Sequence, residues 1–152
     1  VDGMNAERIQ RIFAVNVTGS FLCAREAVKR MSTKYGGKGG SIVNLSSGAA
    51  KYGSPGEYVD YAASKAAIDT LTIGLAKEVA EEGIRVNAVR PGFIDTEIHQ
   101  SGGEPDRMER VRPLVPMKRV GQAEEVADAI MWLLSDKASY TTGTILDVSG
   151  GR

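Results

Sequence analysis

The sequence has little of what several function classes require. Lys plus Arg number 19 and Asp plus Glu number 19, a formal net charge of zero, so there is no excess of basic charge to hold a phosphate backbone. Nucleic acid is excluded as an expected partner. No apolar run approaches the ~20 residues that span a bilayer, and the first residues lack the basic-then-apolar layout of a signal peptide. The chain reads as soluble and cytoplasmic, with no membrane contact. The single histidine, His99, has no Cys, Asp or Glu partner at ligand spacing, so no metal site is expected. The single cysteine, Cys23, cannot form an internal disulfide. It falls on what reads as the buried side of a helix and is expected to fill core.

What remains is ordinary globular composition: 152 residues, 42% hydrophobic and 25% charged, the make-up of one soluble domain. Residue 1 is Val, and the first structural signal is a helix rather than a strand. The chain is expected to be a piece of something longer.

Ile9, Ile12, Phe13, Ser20, Cys23, Ala24, Ala27 and Met31 recur at helical spacing and predict one helix over residues 5–31. Asn16 interrupts that stripe from the same face. It is expected to point inward, where an unpaired amide costs roughly 1–3 kcal/mol; Gly19 and the β-branched Val15, Val17 and Thr18 weaken the helix there. A glycine-rich loop over residues 34–40 leads to a short buried strand, Ser41-Ile42-Val43-Asn44-Leu45. A second helix is predicted over residues 58–82, with the stripe Ile68, Leu71, Thr72, Leu75, Ala76 and Val79, stopped by Gly83. The next strand, Ile84 to Val89 in the sequence, is expected to break at Pro91-Gly92.

Residues 93–121 carry Gly102, Gly103, Pro105, Pro113 and Pro116 among many charges and are long for a connection. The part from 96 to 120 is expected to be a substrate lid, mobile without ligand, with the mixed charges of 104–112 on a solvated face. A third helix over residues 123–135 should bury Val126, Ala127, Ile130, Leu133 and Leu134, and a last strand covers residues 143–148. Trp132 reads as packing or subunit contact. The order helix, strand, helix, strand, helix, strand implies α/β architecture with right-handed crossovers and a parallel sheet, the second half of a doubly wound domain.

In open parallel sheets, ligands bind beyond the carboxyl ends of the strands. Ser46-Ser47 closes the first strand and Pro91-Gly92 the second. The intervening helix places Tyr61 and Lys65 four residues apart on one face. A tyrosine ordinarily titrates near ~10, and an adjacent ammonium stabilises its phenolate, as an acid or base at work requires. The plainer alternative is an aromatic ring packed on a lysine stem.

Asn16-Val17-Thr18-Gly19, Ile42-Val43-Asn44-Leu45-Ser46-Ser47, Tyr61-Ala62-Ala63-Ser64-Lys65, Val86-Asn87-Ala88-Val89-Arg90-Pro91-Gly92 and the stretch 143–151 occur in one order. In that order and spacing the chain resembles the short-chain dehydrogenase/reductase family along essentially its whole length. The resemblance implies a Rossmann-like doubly wound parallel sheet, residues 1–152 forming a single partial domain of that type. It also implies a catalytic tetrad of Asn16, Ser47, Tyr61 and Lys65. Tyr61 would be the general acid in reduction and the base in oxidation. Lys65 would lower its pKa and hydrogen-bond the nicotinamide ribose, Ser47 would hold the substrate oxygen, and Asn16 would anchor a water linking Lys65 to solvent. Ser46 competes with Ser47, and the family pattern favours the second.

Pro91, Gly92, Ile94 and Thr96 resemble the segment along the nicotinamide, the backbone of Ile94 facing its carboxamide. The implied activity is hydride transfer between NAD or NADP and a small carbonyl or secondary alcohol. The family's glycine-rich turn, which receives the pyrophosphate at a helix N-terminus, has no counterpart here. The residue that would separate NAD from NADP is missing with it, and roughly ninety preceding residues would account for both. A non-catalytic truncated or assembly protein is the alternative. Family members associate through the two long helices. Ala63, Ala66, Ala67, Thr70 and Gly74 are small enough for that, although they could equally face the sheet, and a homodimer or homotetramer is expected.

Overall fold

Val86, Ala88 and Val89 are fully buried, and the apolar run that contains them is the middle strand of the sheet. A computed structural model describes residues 1–96 and 107–152. In chain order the elements are α1 (Ala6–Phe13), a π-helical turn (Ala14–Thr18), α2 (Gly19–Met31), β1 (Gly40–Leu45), α3 (Ala49–Tyr52), α4 (Val59–Val79), β2 (Ile84–Pro91), β3 (Ile94–Asp95), α5 (Arg107–Val111), β4 (Gly121–Gln122), α6 (Ala123–Leu134) and β5 (Ile145–Val148). Among the described residues the main sheet is parallel, in the order β1-β2-β5. Ile42 registers with Val86, and Val89 with Leu146.

Side chains alternate across a strand, so β2 serves both faces of the sheet. Ile84 and Val86 pack with Ala76 and Val79 of α4, supported by Val28 and Met31 of α2. On the other face Val89 packs with Val126 and Leu133 of α6. Covering both faces is what a parallel sheet requires. Arg85, on the α6 face, donates to the carbonyls of Leu133, Ser135 and Thr141, placing a cation on the carbonyl end of α6. Asn87, fully buried, donates to Thr141 O at 2.9 Å and accepts from Thr144 N at 3.1 Å, which ties the entry of β5 to the sheet centre.

The helix expected over residues 5–31 is present, and Asn5 caps it by accepting from Arg8 N. The segment weakened by Gly19 and the β-branched residues is a π turn. A π turn holds one extra residue, which rotates everything downstream by about 100°. The single stripe therefore splits. Ile9 and Phe13 are exposed, only Ala24 of the set is fully buried, and α2 packs on the core through Met31 of the set and Val28 outside it. Cys23 is exposed, which corrects its reading as core filling: it lies one residue out of phase with Ala24.

The second helix matches closely, Gly83 ending it in the left-handed region at φ +78°. Ile68, Leu71, Thr72, Ala76 and Val79 are buried. On α6, Val126 and Leu133 are buried, but Ala127 and Leu134 are exposed, because a short helix on a three-stranded sheet covers it with a narrow face. Strand β2 runs on through Pro91, contrary to the expected break. Proline lacks only the donor, and its carbonyl accepts from Gly48 N at 2.9 Å.

The described residues of the long excursion form regular structure that its composition does not imply. Strands β3 and β4 pair in parallel, Ile94 with Gly121, and Val111 and Val115 are buried. Arg107 donates to Glu57 at 2.9 Å and to the Tyr58 hydroxyl at 3.1 Å. The centre of the expected lid, 97–106 with His99 and Glu104, lies outside the described residues.

Candidate active site

Three elements bring the site together at the carboxyl ends of β1 and β2. Beyond β1, backbone bonds run from Ser46 N to Val89 O and from Gly48 N to Pro91 O, so the two serines emerge beside β2. Their hydroxyls are used differently. Ser46 is buried and donates to the backbone carbonyl of Lys65 at 3.2 Å. Ser47 is half-buried and accepts from Ala49 N at 3.1 Å, leaving its proton uncommitted. Ser46 is thus spent on the backbone, whereas the Ser47 hydroxyl donates to no group among the described residues.

On α4, Tyr61 and Lys65 stand one turn apart, with Lys65 Nζ 5.7 Å from the centroid of the Tyr61 ring. The ammonium donates to Leu45 O at 2.8 Å, which holds it at the end of β1. Burial pulls the Lys65 ammonium below its ordinary value, and the negative charge of Asp69 opposes that pull. Tyr61 is half-buried.

Asn16 sits in the π turn, and its side chain donates to Ser64 Oγ at 3.0 Å. Ser64 in turn donates to Tyr61 O at 2.7 Å, so Asn16 reaches the backbone of the tyrosine turn through the Ser64 hydroxyl. The backbone carbonyl of Asn16 accepts from Ser20 Oγ at 2.7 Å. The amide that interrupted the apolar stripe thus finds a partner across the contact of the π turn with α4. π turns recur at functional sites because they redirect such groups.

Pro91 and Gly92 lie against the Ser47 turn: the Pro91 carbonyl takes Gly48 N, and Gly92 N donates to Val148 O at 2.9 Å. A Cβ on Gly92 would stand 2.8 Å from Ser149 Cα, so only glycine permits this approach of β2 to the end of β5. The Ile94 side chain covers Gly121, while the bond between β3 and β4 uses the Phe93 carbonyl. Thr96 is half-buried at the edge of the undescribed stretch. Beside these residues a cavity of about 480 Å³ is lined by Phe93, Ile94, Met117, Arg119, Asp147 and Arg152 among others. Ser47, Tyr61 and Lys65 do not line it. Among the described residues no group of His, Cys, Asp and Glu could hold a metal ion.

Some residues of the site escape sequence reasoning. Arg8 of α1 meets Asp60 at 2.7 Å, and Asp60, immediately before Tyr61, also accepts from Tyr61 N at 2.9 Å. Nothing in the sequence signals a pair 52 positions apart. Arg8's hydrogen bond holds the Asp60 carboxyl below its ordinary value. A carboxylate lowered by folding stabilises the fold above its unfolded value of about 3.9, and that contribution is lost as pH falls through the folded value. Asp60→Asn should therefore be less stable than the parent at neutral pH, and the difference should close below about pH 4. Thermal unfolding across pH checks this, and a difference independent of pH would show that the charge of Asp60 contributes nothing.

A family model described as Enoyl-(Acyl carrier protein) reductase matches residues 1–152. The chain is 68% identical over 152 residues to the uncharacterized oxidoreductase YgfF of Escherichia coli (strain K12), covering 100% of this chain and 62% of the relative. It is 43% identical over 151 residues to 3beta-hydroxysteroid dehydrogenase 1 of Eggerthella lenta, covering 99% of this chain and 57% of that one. Among solved structures, acetoin dehydrogenase YohF from Salmonella typhimurium superposes with a TM-score of 0.82 at 38% identity, covering 98% of this chain and 56% of the other. The chain thus spans little more than half the length of these relatives.

Proposed function

The chain belongs to the short-chain dehydrogenase/reductase family, and from that premise we propose that the protein carrying it is an NAD- or NADP-dependent oxidoreductase acting on a small carbonyl or secondary alcohol. The observation that carries this reading is the placement of Tyr61 and Lys65. A phenol and an ammonium stand one turn apart, the ammonium 5.7 Å from the ring and tethered to the Leu45 carbonyl just before Ser47. Relatives are named for hydroxysteroid and acetoin substrates; only the shared class, a carbonyl and its alcohol, is carried over here.

The residues present fit a nicotinamide nucleotide. Lys65 has three donors and spends one on Leu45 O, which leaves two for ribose hydroxyls. Pro91, Gly92, Ile94 and Thr96 continue from the same crevice as the surface for the ring. When bound, that group supplies or accepts the hydride.

In reduction, Ser47 donates a hydrogen bond from its hydroxyl to the substrate oxygen and holds it as charge develops there. Tyr61 then gives up its phenolic proton to that oxygen, and Lys65 steadies the phenolate left behind. Asn16, through Ser64, fixes the turn from which Tyr61 projects. Oxidation runs the same steps backward, Tyr61 taking the hydroxyl proton.

We assign the activity to the whole protein, in the cytoplasm, with residues 1–152 as part of one Rossmann-type domain. The test follows the nicotinamide absorbance of the whole protein with NAD and NADP against a panel of small ketones and alcohols. Turnover with any pair supports the reading. Binding of neither nucleotide leaves the non-catalytic alternative, and an intact mass near 16.2 kDa would support that alternative.

We further propose a homodimer or homotetramer built on α1, α2 and α4. Phe13, Val15, Phe21 and Leu22 are exposed, as are Ala63, Thr70 and Gly74, so these small residues of α4 do not face the sheet. Such apolar surface marks an interaction site. Light scattering at micromolar concentration should give a multiple of the chain mass, and a monomer with intact activity would exclude this assembly.

A further inference from the structure

Tyr61 and Lys65 are followed at the same interval by a third polar residue, Asp69, and it is buried at 7% exposure. Arg90 closes on it from β2 with two donors, Nε at 3.0 Å and Nη2 at 2.8 Å, both to Oδ2. Oδ1 remains inside the protein without a hydrogen-bond partner. Arginine more often meets a carboxylate as a fork, one donor to each oxygen, which satisfies both. Here the carboxylate is gripped by one oxygen only, and a buried acceptor left unpaired calls for a reason outside the pair.

No hydrogen bond among the described residues supplies a partner for Oδ1, but a second charge stands one helical turn back. Residues four apart on a helix are neighbours, and the residue four before Asp69 is Lys65. The Lys65 ammonium is bonded to Leu45 O and not to Asp69, and the negative charge of Asp69, one turn away, opposes the burial that disfavours its charged form.

The other charges near α4 are committed elsewhere. Arg8 of α1 is spent on Asp60, and the π turn Ala14–Thr18 contains no charged residue. Glu26 of α2 is surrounded by Arg25, Lys29 and Arg30. Strand β1 offers Lys65 only the neutral carbonyl of Leu45. Asp147 of β5 faces Arg90 at 3.6 Å and Lys51 of α3 at 3.1 Å. Arg90 is thus the one cation on Asp69 from β2, and it is itself shared with Asp147.

We propose that Asp69 is the counter-charge of Lys65, and that Arg90, by holding a single oxygen of Asp69, sets how much of that charge the ammonium feels. Both are positioning residues, for neither is placed to touch substrate or cofactor. Arg90 immediately precedes Pro91-Gly92, so the same contact locks that segment to α4. The consequence for turnover rests on the role given to Lys65 above; the electrostatic claim stands without it.

The experiment titrates Lys65 directly, by magnetic resonance of the whole protein carrying isotope-labelled lysine, with the Lys65 signal identified by its loss in Lys65→Met. In Asp69→Asn the Lys65 midpoint should fall by roughly one pH unit, and in Arg90→Gln it should rise by roughly half a unit, because Asp69 is then uncompensated. General loosening of the fold does not produce shifts of opposite sign. Asp69→Glu should keep the midpoint near that of the parent. An unmoved midpoint in Asp69→Asn, or movement in one direction in both variants, overturns the proposal. Should Asp69→Asn fail to fold, Arg90→Gln decides alone, a rise supporting the claim and no rise refuting it. The shifts can appear in a protein with no turnover, in which case the oxidoreductase reading fails and this inference survives.

Discussion

Tyr61→Phe in the whole protein is expected to lower turnover by at least about a hundred-fold, the lower end of what a positioned general acid contributes, while cofactor affinity stays within a few-fold. The substitution removes one oxygen and almost no volume. Among the described residues the Tyr61 hydroxyl has no hydrogen bond to lose, so the fold has no reason to change. Stability by urea unfolding should match the parent, which separates a chemical defect from a folding one. Tyr58→Phe is the control: its hydroxyl accepts from Arg107 at 3.1 Å, so it loses a real contact, yet turnover should persist. Steady-state rates with saturating cofactor make the measurement. Retention of more than about a tenth of the rate in Tyr61→Phe would remove it from the acid/base role.

The fold was legible where a single physical rule governs a whole segment. The stripe of α4 ran without interruption from Ile68 to Val79, and the helix ended at Gly83 where the chain needs a positive φ. Strands β1, β2 and β5 were legible as short apolar runs bounded by breakers. Helix α1–α2 misled for one local reason, the π turn, which shifts the phase of every residue after it and moved Cys23 to the surface. The extra elements α3, α5, β3 and β4 are two to five residues long, and no periodicity can be read in so few positions.

At the site, spacing within one helix was readable, and pairing between elements was not. Tyr61 and Lys65 follow the i, i+4 rule, and Asp69 would have been found by extending the same count one turn further. Ser47 was chosen over Ser46 by resemblance, and the geometry shows how the two hydroxyls differ: one is spent on the Lys65 carbonyl and the other is not. Asn16 announced itself as a polar residue in an apolar stripe, but its partner, Ser64, lies on another helix. The pairs Arg8–Asp60 and Arg90–Asp69 depend on how helices and strands pack, which charge patterning along the chain does not encode.

Lys65→Met should damage two functions at once, because one ammonium is asked to do two things. Its loss takes the positive charge from beside the Tyr61 ring, 5.7 Å away, and the phenolate then forms without its stabiliser. Turnover is expected to fall by about a thousand-fold, within the range assigned to acid–base catalysis. It also removes the two donors not spent on Leu45 O. A hydrogen bond from a charged donor contributes about 1.5–3 kcal/mol, so cofactor affinity should weaken by roughly ten- to a hundred-fold. Folding should change far less: methionine fills nearly the same volume, the half-buried ammonium is already disfavoured by burial, and Leu45, exposed at 52%, can exchange its lost partner for water. Lys65→Arg should recover the charge beside Tyr61 but not the compact donor geometry, and so restore turnover more than affinity. Titration calorimetry with the nucleotide, alongside steady-state rates, reads the two losses separately. Unchanged nucleotide affinity in Lys65→Met would take the ribose contact away from Lys65, and unchanged turnover would take away its partnership with Tyr61.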